Sequence, residues 1–399
     1  MKRIYIFTGK GGVGKSSIAA AHALKSAEEG KATLLVSTDM AHNLGDIFEL
    51  GLGKEVKNVR QNLDLYEIDP EYVMENDFTA VTSYLASLFS EIDVDGMQGI
   101  GMIPGMEELF SLLKIADIYR REDYERIIVD CAPTGETLSL LKFPELLSWY
   151  MEKFFPIGKV AVRLLAPVSK AAFQVEMPNK TAMNEIERMF LKLVELQELL
   201  KDRAVTSVRI VTTPEKMVLE ETKRSYMYLN LYNFNVDGIY INRILPSDLD
   251  NAFFEQWIAI QKEYIACIKE SFSALPIYEI PWYDEELRGE KAIRRIVENV
   301  LAGKDVFAGK NTTEREYFEQ TENGYQLKVF LPYAKKENID LYQAATDLVV
   351  RTGNFKRCIP LPNVLRSYMV TGAKFDDGTL CIQFEKGSRE DESGDTKSF

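Results

Sequence analysis

Short apolar runs recur along the first half of the chain, and longer stretches with helical character separate them. Short apolar strands that alternate with helices are typical of a sheet covered by helices on both faces. This alternation predicts an α/β fold with a mostly parallel, doubly wound sheet. The predicted strands are Arg3–Phe7, Thr33–Ser37, Leu63–Ile68, Arg126–Asp130, Ser207–Thr212 and Gly238–Asn242.

A long helical insertion interrupts this alternation at about residues 144–200, and residues 97–115 form an additional apolar segment. Two interpretations stay open. The apolar side chains form ordinary helix core, or they line an exposed groove for an apolar partner helix, to which methionine side chains adapt well. Under the second interpretation the client-binding residues are Met97, Met102, Met106, Leu146, Leu147, Met151, Phe154, Phe155, Leu164 and Leu165.

The pattern changes after a first domain that we assign to residues 1–305. A polar linker over 306–318 is followed by short β-rich runs with turn residues between them, which predicts a small all-β sandwich over 319–387. The polar residues 388–399 are predicted to be disordered. The predicted strands of the sandwich are Tyr325–Leu331, Ile339–Ala344, Leu348–Arg351, Arg357–Leu361, Met369–Phe375 and Thr379–Phe384.

Composition excludes several classes of protein. The 399 residues carry a net charge of −13, which argues against nucleic acid as the main partner because phosphate backbones require a basic surface. The four cysteines form no C-x-x-C pair, so we expect neither zinc nor a disulfide framework. The sequence shows no signal peptide and no long uncharged apolar stretch that could span a membrane. A cytoplasmic protein is expected.

A glycine-rich loop follows the first predicted strand and precedes a helix. Residues 9–16 satisfy G-x-x-x-x-G-K-[ST], in which glycines let backbone N–H groups converge on phosphate oxygens. Lys15 is expected to reach the β- and γ-phosphates of ATP, and Ser16 to hold Mg²⁺. A turn of this shape that binds nothing is the alternative. The predicted nucleotide-binding residues of the loop are Gly9, Gly11, Gly12, Val13, Gly14, Lys15, Ser16 and Ser17.

Two acidic residues follow predicted strands. The carboxyl ends of parallel strands form the ligand-binding edge of such a sheet, so Asp39 could orient the attacking water. A simple helix cap is the alternative for this residue. Asp130 ends a hydrophobic strand and is the expected second support for Mg²⁺, reached through water. The predicted Mg²⁺-binding residues are Ser16, Asp39 and Asp130, partly through water. The loop after Asp130 contains Pro133 and Gly135, which suits a sensor of the γ-phosphate.

These three loops together resemble those of the ArsA-type ATPases, the family of arsenite-pump ATPases and of ATPases that target tail-anchored membrane proteins. The motifs are the lysine-containing loop at 10–16, the stretches Ser37–Asp46 and Asp130–Thr137, and the segment Ile241–Pro246. The resemblance spans about residues 1–303. It departs from the family where Met40 replaces the usual proline, and the C-x-x-C that clamps some dimers with zinc is missing.

The resemblance implies roles for individual residues. Lys10, a second lysine in the loop, would cross to the nucleotide of the other subunit in a homodimer, and Asp39 would activate water. Asp130 would be the Walker B aspartate. The adenine-binding positions match Asn242, Pro281 and Trp282, and the switch loops match Met40, His42, Asn43, Pro133, Thr134 and Gly135.

The C-terminal strands resemble the α-crystallin domain of small heat-shock proteins, in the run Ala373–Leu380 among others. We therefore expect an ATP-hydrolysing homodimeric switch that binds and releases hydrophobic clients, such as the helix of a tail-anchored membrane protein. The alternatives are an ATPase subunit that drives an arsenite pump, a carrier of a small lipophilic ligand, and a scaffold with a relict nucleotide site.

Overall fold

The computed structural model describes residues 3–39, 43–79, 106–131, 185–249, 251–309, 315–344, 347–353 and 355–386. These residues form two compact units. The first unit is built on an eight-stranded sheet, and the second contains two antiparallel sheets. The predicted fold class, a mostly parallel α/β sheet with an all-β sandwich after it, is confirmed.

The large sheet has the strand order β3-β4-β2-β5-β1-β6-β7-β8. All neighbouring strands are parallel except β3, which runs antiparallel to β4 at one edge. Its strands are β1 (Arg3–Thr8), β2 (Thr33–Ser37), β3 (Lys57–Arg60), β4 (Leu63–Glu67), β5 (Arg126–Asp130), β6 (Thr206–Thr212), β7 (Val236–Ile244) and β8 (Ile277–Pro281). The sequence analysis missed β3, which is a polar edge strand, and β8, which is short and flanked by prolines.

Helices connect these strands. The described helices are α1 (Lys15–Glu28), α2 (Asn43–Phe48), α3 (Pro70–Asn76), α4 (Met106–Arg121), α5 (Glu185–Lys201), α6 (Lys216–Leu231), α7 (Ala252–Ser271) and α8 (Gly289–Ile296), which a π-helical turn at Val297–Leu301 extends. Helix α1 follows β1 after the loop of residues 9–14 and is mostly buried, because its alanines allow close packing between the sheet and α8. The described helices include none that is long and apolar enough to cross a membrane.

The antiparallel unit has one sheet in the order β14-β15-β10-β9 and another in the order β11-β12-β13. Its strands are β9 (Glu316–Thr321), β10 (Gly324–Phe330), β11 (Ile339–Ala344), β12 (Asp347–Thr352), β13 (Phe355–Pro360), β14 (Tyr368–Asp376) and β15 (Thr379–Lys386). Alternate side chains of the strands, such as Leu327, Val329, Ile382 and Phe384, are buried. This period of two is what a sandwich core requires.

The structure corrects the predicted linker at both ends. Residues 316–318 begin strand β9, because they pair with β10 along its length. At the other end, Val306 and Phe307 are buried in the first unit. The hydroxyl of Tyr5 donates to the Phe307 carbonyl at 2.9 Å, so this segment belongs to the core around β1.

A buried ionic cluster joins β6 and β7 of the large sheet to helix α1. The guanidinium of Arg209 is buried and donates to Asp237 Oδ1 at 3.2 Å and to the Val306 carbonyl. The Tyr240 hydroxyl lies between Arg209 and the imidazole of His22, 2.9 Å from His22 Nε2. A buried charge is stable only when it is paired and hydrogen-bonded, so this cluster ties β6, β7 and the segment after α8 together.

We predict that Asp237→Ala lowers the free energy of unfolding by about 3–5 kcal/mol, because it leaves the Arg209 guanidinium buried without its counter-ion. Urea unfolding followed by circular dichroism measures the change. Asp284→Ala, which breaks the exposed pair with Arg295, is the matched control and should show no measurable loss. Equal losses in the two variants would contradict the assignment.

Candidate nucleotide site

The candidate site lies at the carboxyl edge of the large sheet, in the loop between β1 and α1. Gly9, Gly11, Gly12 and Val13 lie in this loop, and Lys15, Ser16 and Ser17 form the first turn of α1.

Gly14 has a φ of +91°, and a Cβ built on it would lie 2.3 Å from the Asn242 side-chain nitrogen. The left-handed φ favours glycine here, and any larger residue would also displace the Asn242 amide from the loop. The loop therefore presents backbone N–H groups and a helix start to an anion.

Lys15 is buried at this helix start, with 5 % of its surface exposed. Its ammonium donates to the carbonyl of Lys10 at 3.5 Å, so it points back across the loop. A buried ammonium with a hydrogen bond as long as this one favours an anionic ligand, because a phosphate would satisfy it better. This arrangement fits the predicted role of Lys15.

Asp130 ends β5 beside this loop and is fully buried, at 0 % exposure. Burial raises the pKa of its carboxyl group to about 6, although the Ser16 hydroxyl and the Lys15 ammonium favour the charged form. The Ser16 hydroxyl lies close to the carboxylate, but within the described part of the chain neither carboxylate oxygen accepts a hydrogen bond of normal length and angle. Buried oxygens of this kind suit Mg²⁺, which takes one or two carboxylates, waters and phosphate oxygens as ligands.

Asp39 follows β2, the strand next to β5. Its backbone N–H donates to the Ser37 hydroxyl at 3.1 Å, and Ser37 pairs in register with Asp130. The Asp39 carboxylate is near enough to Asp130 to favour the protonated form of that residue. The structure therefore brings together Lys15, Ser16, Asp39 and Asp130.

Asn242 lies at the end of β7 and joins this strand to the glycine-rich loop. Its side-chain nitrogen donates to the Val13 carbonyl at 2.8 Å, and its side-chain oxygen accepts from the Arg243 N–H at 2.9 Å. Pro281 and Trp282 follow at the end of β8, and the Trp282 N–H donates to the Ile244 carbonyl at 2.8 Å. The three predicted adenine-binding residues thus lie on two neighbouring strands or, for Trp282, directly after one of them. The Asn242 amide also holds the loop.

The Lys10 side chain reaches helix α6, which follows β6, and β6 lies on the opposite side of β1 from β5. The Lys10 ammonium lies 3.7 Å from a carboxylate oxygen of Glu221 on α6, and the lysine side chain is 39 % exposed. An exposed ion pair of this length contributes little to stability. The side chain is therefore available to another charged partner at low energetic cost.

Several predicted residues fall outside the described part of the chain. Asn43 begins α2 and Met106 begins α4, and only their backbone is described. The remaining switch and client-binding residues lie outside the described ranges: Met40, His42, Pro133, Thr134, Gly135, Met97, Met102, Leu146, Leu147, Met151, Phe154, Phe155, Leu164 and Leu165.

Sequence analysis missed two acidic residues of this region. Glu67 ends β4 in register with Ser37, just as Asp130 ends β5. An acidic residue at the end of a parallel strand was the signal that identified Asp130, and it applied equally to Glu67. Glu221 gave no local signal, because its proximity to Lys10 arises from the packing of α6.

Comparisons with known proteins cover nearly the whole chain. A family model described as anion-transporting ATPase matches residues 2–302, and one described as an HSP20-like domain found in ArsA matches residues 322–384. A protein of Chlorobaculum tepidum named "Putative arsenical pump-driving ATPase" is 35 % identical over 388 residues, 96 % of each chain.

Two further relatives extend the range of organisms. One of Aquifex aeolicus, named "Putative arsenical pump-driving ATPase 1", is 31 % identical over 95 % of this chain and 99 % of its own. The "ATPase get3" of Pyrenophora tritici-repentis is 32 % identical over 74 % of this chain and 91 % of its own.

We predict that Asp130→Asn stabilises the ligand-free protein in EDTA. Because the folded-state pKa of Asp130 is raised to about 6, its contribution to stability is complete below the unfolded-state pKa near 4 and is lost as the pH rises through 6. At pH 7.5 the variant should be more stable by on the order of 3 kcal/mol. The difference should disappear near pH 4.

Thermal unfolding across this pH range tests the prediction. Asp123→Asn, at an exposed position, controls for the general effect of pH on unfolding. Equal stabilities of Asp130→Asn and the unmodified protein at pH 7.5 would show that the charged Asp130 carboxylate does not lower the free energy of unfolding in the absence of a ligand.

Proposed function

The chain belongs to the ArsA family of anion-transporting ATPases, and from this premise we propose that it is an Mg²⁺-dependent, ATP-driven homodimeric switch. The observation that carries the proposal is the convergence of Lys15, Ser16 and Asp39 on the buried Asp130 carboxylate. One cation, one hydroxyl and two carboxylates at a glycine-rich loop are the groups that phosphoryl transfer to water requires.

Each group has a distinct task in this proposal. Lys15 binds the β- and γ-phosphates, and the loop N–H groups hold the phosphate chain. Asp39 orients the attacking water at its carboxylate. Ser16 and Asp130 would hold Mg²⁺, Asp130 partly through water, and the bound ion would neutralise charge on the phosphates. Asn242, Pro281 and Trp282 would enclose the adenine.

Our proposal of a homodimer rests on the position of Lys10. One lysine of the loop, Lys15, is already directed to its own site, whereas Lys10 is directed outwards and weakly paired with Glu221. A cation that enters the neighbouring subunit's site stabilises the charge that develops in the transition state. Closure of the dimer would thus complete both sites, so hydrolysis would depend on association.

Two candidates remain for what the switch drives. The names of the relatives that match over the whole chain favour an arsenical pump, and this candidate comes first. The second is binding and release of a hydrophobic client, which rests on the apolar sequence segments 97–115 and 144–200 and on the HSP20-like domain. A small lipophilic ligand is a variant of the second candidate. We place the protein in the cytoplasm in either case, and its net charge of −13 argues against a nucleic-acid partner.

We predict that arsenite raises the rate of ATP hydrolysis by the purified protein. A coupled assay of ADP release would be run with arsenite, with an apolar helical peptide in detergent, and with neither. Asp39→Asn is the control for contaminating ATPases. Stimulation by the peptide alone would replace the first candidate with the second, and no stimulation by either would contradict both.

We also predict that Lys10→Ala binds ATP with an affinity within about threefold of normal and loses at least about 1,000-fold in turnover, as expected for a cation supplied by a partner subunit. Calorimetric titration and the hydrolysis assay measure the two quantities. Glu221→Gln, which removes the ion-pair partner and keeps the lysine, is the control. Unchanged turnover in Lys10→Ala would exclude the role across the dimer.

A further inference from the structure

The segment that carries Asp39 is fixed at its first end by β2. The Asp39 N–H donates to the Ser37 hydroxyl at 3.1 Å, and the Thr38 N–H donates to the Asp130 carbonyl at 3.0 Å. Ser37 lies in the sheet, with β5 on one side and β4 on the other. These bonds set where the Asp39 backbone leaves the sheet.

The second end of the segment is fixed by Glu67. The Gly45 N–H, in the first turn of α2, donates to Glu67 Oε1 at 3.0 Å. Glu67 is 7 % exposed and pairs in register with Ser37, so both anchors lie at the same level of the sheet on neighbouring strands. Leu44, fully buried beside Gly45, packs this end of the segment into the core.

We propose that Glu67 is a positioning residue for ATP hydrolysis, which sets the placement of Asp39 by holding the start of α2. The inference rests on the proposed role of Asp39 as the residue that orients water. Thr38 and Asp39 on one side, and Gly45 on the other, are hydrogen-bonded at the same edge of the sheet. Pre-organisation of the residues around a reacting group supports its placement. Release of the Gly45 end would let Asp39 move relative to the phosphates without disturbing Lys15 or the glycine-rich loop.

The Glu67 carboxylate forms a hydrogen bond that an apolar side chain could not form. A buried carboxylate is costly, and an apolar side chain of the same length would fill this position at the end of β4 with less desolvation. An acceptor at this position also provides the hydrogen bond to the Gly45 N–H, which a charged acceptor strengthens. The carboxylate therefore fixes α2 against the sheet at a defined point.

The test compares Glu67→Met with Glu67→Gln, which match in length and differ in the acceptor. In the ligand-free protein, amide hydrogen exchange of the peptide containing Gly45 should accelerate about 10- to 100-fold in the methionine variant and little in the glutamine variant. In steady-state hydrolysis, Glu67→Met should lower kcat about 10- to 100-fold with KM for ATP within about threefold. Glu67→Gln should restore most of kcat.

Asp64→Asn, on the same strand and bonded to Tyr124 and Asn58, is the matched control and should keep normal kcat. Thermal unfolding verifies that each variant is folded, and Glu67→Ala replaces Glu67→Met if the latter is not. Normal kcat in Glu67→Met would overturn the proposal, as would equal losses in the methionine and glutamine variants. Normal turnover in Asp39→Asn would instead disprove the role of Asp39, whatever the exchange data show for Glu67 and Gly45.

Discussion

The parallel register between β2, β5 and β1 is the constraint on which the candidate site depends. Phe7 pairs with Asp130, and Asp130 with Ser37, so three strand ends stop at one level of the sheet. The connections that follow, the glycine-rich loop after β1 and the Asp39 segment after β2, must therefore start side by side. A shift of one residue in β5 would turn the Asp130 side chain to the opposite face, because side chains alternate along a strand.

Register also explains why a carboxylate can be buried at this edge. Asp130 is enclosed by the sheet and by the first turn of α1, and this burial raises the pKa of its carboxyl group to about 6. The Lys15 ammonium and the Ser16 hydroxyl offset part of this cost, and a bound cation would offset more. The ligand-free state thus stores unfavourable electrostatic energy that nucleotide and Mg²⁺ would relieve, which links binding to the stability of the sheet.

Two side chains beside the candidate site hold the segments that form it in place. Asn242 holds the glycine-rich loop from the β7 side, and Glu67 holds α2 from the β4 side. Both use a side-chain hydrogen bond to a backbone group, which fixes a loop more precisely than apolar contact does. The buried pair of Arg209 and Asp237 joins β6 to β7. The sheet that positions Asn242 is therefore itself stabilised by buried polar contacts.

Short-range patterns along the chain account for the parts of this protein that depend on neighbouring residues. Short stretches of sequence predict the glycine-rich loop, the strand before it and the position of Asp130 at a strand end. They do so because turn geometry and hydrophobic periodicity act between near neighbours. Tertiary packing accounts for the pairing of Lys10 with Glu221, the contact of Glu67 with Gly45, and the burial of Phe307 within the predicted linker. These contacts join residues on separate elements, and their existence depends on how the elements pack and in which register the strands pair, which no local pattern encodes.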